Sequence, residues 1–156
     1  MYEVFTYNPA EVQLTVASYV AEGWDEITIK RAPSFIFKKG INGKHTRIQD
    51  YDTSALVTIS VIKTSQANDI FSQIHEEDII NGTGRLELTL KDYSGESVFN
   101  SIEAYIVGYP EISYRDALDF NTWTIVCQST DDYYVGGNAR PNEQFIIETL
   151  KRLVGG

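Results

Sequence analysis

The side chains able to do chemistry are few and scattered. The chain has two histidines, His45 and His75, and one cysteine, Cys127. No spacing among them fits a zinc-ligand set. Cys127 lies in an alternating apolar stretch with Trp123 and Ile125, where a small core residue is expected rather than a nucleophile. Two carboxylate runs, Glu76-Glu77-Asp78 and Asp131-Asp132, lack the ligand spacing of a calcium loop and read as solvated surface. Gly40-Ile41-Asn42-Gly43-Lys44 places two residues between its glycines, too few for a phosphate-binding loop. No activated serine and no acid–base carboxylate pair stands out. A non-enzyme with no metal and no cofactor is expected, and a single cysteine permits no internal disulfide.

Charge says more. The net charge is −9, a balance that argues against general adhesion to nucleic acid or an anionic membrane. Within this acidic chain Lys38, Lys39, Lys44, His45 and Arg47 form one basic cluster. The cluster has two readings. Lysines at a hairpin tip keep a strand edge soluble, and a basic arm can also dock on an acidic patch of another copy. No apolar run approaches the ~20 residues of a membrane helix, so no membrane anchor is expected. The first residues lack the basic and apolar regions of a signal peptide, which leads to the expectation of a chain made and kept in a cytoplasm. Asn81-Gly82-Thr83 matches a glycosylation sequon but reads as a turn.

These residues must be held by strands. Val12, Leu14 and Val16 alternate with polar neighbours, and Ile27-Thr28-Ile29 begins a second strand. Phe35, Ile36 and Phe37 lead into the Asn42-Gly43 turn, a strong hairpin signal. The return strand starts near Thr46, bends around residues 50–52 and reaches Lys63, with Ala55, Val57, Ile59 and Val61 on one face. Thr64-Ser65 then offers a hydroxyl cap to a helix over residues 65–75 that carries Ile70, Phe71 and Ile74. Glu76, Glu77 and Asp78 lead from it into a turn. Residues 85–91 form an amphipathic strand with Leu86, Leu88 and Leu90 inward, each contributing about 1.5–3 kcal/mol on burial. Residues 97–109 form another, with Ile102, Ala104 and Ile106 on one face and Ser101, Glu103 and Tyr105 on the other. Residues 121–128 form the last strong strand, residues 131–137 a loop, and residues 142–153 a C-terminal helix with Phe145, Ile146 and Leu150 apolar. The expectation is one domain of 156 residues: a mainly β, antiparallel sandwich or barrel with one flanking α-helix. Its core spans about residues 12–128, with residues 129–156 as an extension.

The order of these phrases resembles the tail tube proteins of contractile-tailed bacteriophages. The resemblance is carried by Asp25-Glu26-Ile27-Thr28-Ile29-Lys30-Arg31, Phe35 and the residue 40–43 hairpin. It continues through the strand ending in Lys63-Thr64-Ser65, Ala67-Asn68-Asp69, residues 88–95, Glu103-Ala104-Tyr105-Ile106 and Trp123-Thr124-Ile125. It implies a fold related to type VI secretion tube proteins. It implies hexameric rings whose inner sheets join and that stack into the rigid tube conducting phage DNA. It implies a virion-tail location after assembly in the host cytoplasm. Implied partners are further copies of the chain, the tail sheath protein, the tape-measure protein, and baseplate and tail-terminator proteins. DNA would pass through the lumen without specific binding.

Inter-ring contacts are then expected from Lys38, Lys39, Asn42, Gly43, Lys44, His45 and Arg47. Glu76, Glu77, Asp78, Asp131 and Asp132 are candidate acidic partners, and Glu87 and Glu103 candidate lumen residues. A net-negative wall would repel phosphate and let the duplex slide. Two alternatives remain. One is a tail-terminator or baseplate-hub ring on the same fold. The other is a monomeric β-sandwich that binds carbohydrate, suggested by ten tyrosines and two tryptophans.

Overall fold

The computed structural model describes residues 5–137 and 140–141. In chain order the first strands are β1 (Phe5–Thr6), β2 (Val12–Val16), β3 (Tyr19–Val20), β4 (Trp24–Arg31), β5 (Phe35–Lys39), β6 (His45–Gln49) and β7 (Ala55–Ile62). Helix α1 (Ala67–Asn81) follows. The chain continues as β8 (Leu86–Asp92), β9 (Val98–Ile106), β10 (Phe120–Cys127), β11 (Asp132–Tyr134) and β12 (Arg140–Pro141). The fold is the expected mainly β, antiparallel architecture, with one α-helix among the described residues. The residue 142–153 helix expected from the sequence lies outside them.

Strand alternation builds the core. Ala55, Val57, Ile59 and Val61 of β7 are buried, and β7 pairs along its whole length with β10, from Phe120 opposite Ile62 to Cys127 opposite Ala55. Trp123, Ile125 and Cys127 therefore join the same apolar face. The main sheet runs β3-β2-β8-β9-β10-β7-β4, and β11 also pairs with β9. Strand β9 divides its outer edge, giving Val98, Phe99 and Asn100 to β11 and Ala104, Tyr105 and Ile106 to β10. Leu14, Val16, Leu86, Leu88 and Phe99 from one half meet the β7–β10 face in one core. Helix α1 adds Ala67, Phe71 and His75 to its buried residues. Phe71 packs edge-on against Trp123 at 5.5 Å between ring centroids.

Four local expectations are corrected. First, the helix does not stop at His75 but continues to Asn81. Glu76, Glu77 and Asp78 are helical, and Gly82, at φ 68°, ends the helix in the left-handed conformation that glycine adopts freely. Second, residues 131–137 are not all loop, because β11 pairs with β9. Third, Ser101 is buried and Ile102 exposed, the reverse of simple alternation. A register shift sits between Leu86/Ala104 and Leu88/Ser101. An extra residue there turns Ile102 outward and restores Ala104 and Ile106 to the core. Fourth, Asn42-Gly43 does not form a two-residue turn. It lies in a longer loop in which the Gly43 N–H donates to the Gly40 carbonyl and Gly43 alone takes a positive φ, 80°.

The hairpin β2–β3 uses chemistry that the sequence does not advertise. Ala17 and Ser18 stand between Val16 and Tyr19 with φ of 50° and 73°. Positive φ at both positions suits the right-handed twist of a tight hairpin, but here neither residue is glycine or asparagine.

Candidate assembly surfaces

The paired strands β5 and β6 form a separate two-stranded ribbon. Every residue in 32–49 is exposed. Phe37 is 68% exposed and Ile41 at the tip is fully so. The register sets Phe35 opposite Gln49, Phe37 opposite Arg47 and Lys39 opposite His45, with Ile36–Ile48 and Lys38–Thr46 on the other face. The Arg47 guanidinium lies 3.6 Å from the Phe35 ring centre, a cation–π contact that stays within the ribbon. The predicted contact residues Lys38, Lys39, Asn42, Gly43, Lys44, His45 and Arg47 are thus gathered on one projecting arm. Both faces of the arm carry exposed apolar side chains, Phe37 on one and Ile36 and Ile48 on the other.

The acidic residues divide. Asp131 accepts a hydrogen bond from the Ile102 N–H at 2.9 Å, so its carboxylate serves the β9 bulge. Asp132 is exposed at the start of β11. Asp78 accepts from the Gly84 N–H at 3.1 Å and fastens the chain after α1. Glu76 and Glu77 are exposed on α1 beside Gln73, Ile80 and Asn81, around a shallow depression of about 400 Å³. Ile79 and Ile80, which the sequence does not single out, are 64% and 69% exposed. Their signal was the continuation of the helical spacing from Phe71 and His75.

Glu87 is exposed on β8, and Glu103 is half-buried on β9. The Tyr105 hydroxyl lies 3.5 Å from the Glu103 carboxylate. The outward face of β10, β7 and β4 continues from Glu103 and Tyr105, since Tyr105 lies opposite Val126. Its register aligns Thr28 with Thr58 and Thr124, and Glu26 with Ser60 and Thr122. This surface of hydroxyls carries little charge.

The free edges matter as well. Among the described residues, β4 has a paired neighbour only on its β7 side. A cleft of about 410 Å³ opens between β4 and the β2–β8 edge, lined by Trp24, Ile27, Ile29, Leu90 and Tyr133 among others. Its Asp92 carboxylate is already occupied, accepting from the Ser94 N–H and hydroxyl at 3.0 and 2.6 Å.

The catalytic candidates stay apart. His45 is on the arm, whereas His75 is buried against Tyr109 at 4.7 Å between ring centres. Burial raises the Cys127 thiol above its ordinary range, opposed by a hydrogen bond with Ser101. Among the described residues no group of three or more His, Cys, Asp or Glu could hold a metal ion.

No protein-family model matches the chain. Among curated proteins it is similar to "Structural protein ORF10" of Pseudomonas phage KPP10, at 29% identity over 147 residues. That alignment covers 86% of this chain and 84% of the relative. Among solved structures it resembles the tube-terminating cap of the anti-feeding prophage, with a TM-score of 0.51 and 11% identity, covering 86% of this chain and 95% of the cap. The sheath/tube terminator of the PVC extracellular contractile injection system gives a TM-score of 0.49 and 11% identity, covering 81% and 96%. The chain is therefore similar to a phage structural protein, and its fold is one seen in a tube-terminating cap.

Proposed function

We propose that the chain is a non-catalytic structural component of a contractile phage tail, and that it forms the ring that terminates the tail tube. The observation that carries this reading is the likeness to a phage structural protein along 86% of the chain. The cap-like fold supports the terminator, the alternative left open by the sequence, over the tube subunit. The unpaired length of β4 supports ring formation. An eight-residue edge strand leaves a row of backbone donors and acceptors that closure against a neighbour would satisfy. The immediate partner is the tube end, with the sheath around it. The tape-measure and baseplate proteins belong to the same assembly, and DNA passes through the ring without specific binding.

The exposed arm serves either reading, because a projecting ribbon can bridge neighbours within one ring or between stacked rings. The carbohydrate-binding alternative has less behind it, since Trp123 is core and Trp24 is half-buried against the core beside the β4 cleft. Electron microscopy of the purified protein separates these readings. The terminator gives single closed rings, the tube subunit gives extended tubes, and the binding module gives monomers.

A further inference from the structure

We infer that the exposed C-terminal half of α1 is the receptor for the β5–β6 arm of a second copy of this chain. The inference rests on the ring-forming reading above and names the contact that closes the ring.

The two surfaces match in chemistry. Between Phe35 and Gln49 the arm carries Lys38, Lys39, Lys44 and Arg47 with no carboxylate. Helix α1 carries Asp69, Glu76, Glu77 and Asp78 with no lysine or arginine. Its acidic run is also badly placed for the helix alone. The C-terminal end of a helix bears a partial negative charge and favours cations, yet the last turn holds none. A cation supplied from outside would relieve this conflict. Apolar groups accompany the charge on both sides. Phe37 and Ile41 stand out from the arm, and Ile79 and Ile80 stand out from the helix. Ile79 follows His75 by one helical turn, so the buried stripe of α1 runs on past the body of the domain.

The two surfaces do not cover each other within one chain, for both are exposed. The single salt bridge among the described residues joins Arg115 to Asp119, leaving the arm lysines and Glu76 and Glu77 without ionic partners there. Of the other acidic run, Asp131 is held at the bulge, and within α1 Asp78 is held at Gly84, which leaves Glu76 and Glu77 as the free carboxylates of the receptor. The arm joins the main sheet at the Ala55 end of β7, while α1 is joined at the Ile62 end. A contact between two different patches is head-to-tail, and such a contact builds a ring when its rotation closes.

A charge-exchange experiment tests the contact. One variant carries Lys38→Glu, Lys39→Glu and Lys44→Glu, and the other Glu76→Lys and Glu77→Lys. Each alone sets like charges against each other and should lower the assembled fraction by roughly tenfold or more at low salt. Mixed in equal amounts, each variant's arm meets an opposite charge on the other's helix, and assembly should return. In a separate variant, Ile41→Cys with Ile80→Cys should form disulfides between copies under oxidation, with Cys127 buried and silent. If wild-type protein assembles while both charge variants assemble equally well, or while the mixture stays apart and no cross-link forms, the receptor assignment is wrong. If wild-type protein never assembles, the ring-forming reading itself fails.

Discussion

Asn68 is the side chain on which the helix and the sheet most depend. Its amide donates to the carbonyls of Ile62, Lys63 and Ser65 at 3.0–3.3 Å. Its oxygen accepts from the Trp123 indole at 3.0 Å and from Asn121 at 3.1 Å. One residue thus ties the end of β7 and the start of α1 to β10. Asn68→Ala removes these partners together, leaving the buried Trp123 indole N–H unmatched. A loss of about 2–4 kcal/mol is expected in urea denaturation, since each net bond is worth about 1 kcal/mol and orphaned groups cost more. Gly84 is equally constrained by space. A Cβ there would lie 2.3 Å from Asp78 Cβ, so Gly84→Ala should lower stability by about 1–3 kcal/mol, the usual cost of overpacking. Cys127 is expected to resist thiol reagents in the folded protein and to react once urea unfolds it. Reaction at equal rates in both states would contradict its placement.

At the scale of elements, the turn between β2 and β3 is a place where the chain is strained. Replacing Ala17-Ser18 by Asn-Gly fits the observed positive φ values better and should stabilise the protein by about 1 kcal/mol, read as a raised denaturation midpoint. The contrast between this turn and β7 shows what was legible in the sequence. Val57, Ile59 and Val61 announce a strand because one face is buried and the side-chain period is two. Ala17-Ser18 announces nothing, because neither residue is a usual turn former. The bulge at Ile102 was equally hidden, since it is held by the Asp131 carboxylate and by the Ser101 hydroxyl donating to the Ser129 carbonyl at 2.5 Å, partners distant in sequence. The end of α1 was misread because an acidic run is an unusual way to finish a helix, and only Gly82 marks the stop. The arm was legible as a basic hairpin from residue types alone. Its receptor was not, because Ile79 and Ile80 become informative only once they are found exposed.

At the scale of the whole molecule, charge and edges decide the behaviour. An acidic chain placed around DNA repels phosphate. We place the β8–β9 end of this outward face, with Glu87 and Glu103, on the lumen side as a proposal, against its β4–β7–β10 end, with Thr28, Thr58, Ser60, Thr122 and Thr124, as the rival. Glu87→Lys with Glu103→Lys should let assembled rings retain duplex DNA in a salt-sensitive way, whereas Glu26→Lys at the rival end should not. The opposite pattern in a DNA-retention assay would move the lumen to the β4–β7–β10 end. The central claim is that this chain is a ring-forming structural protein. The most direct test is native mass spectrometry of the purified protein across a range of concentrations and salt. One closed oligomer of fixed subunit number is expected to replace monomer as concentration rises. A strict monomer under every condition would contradict the claim.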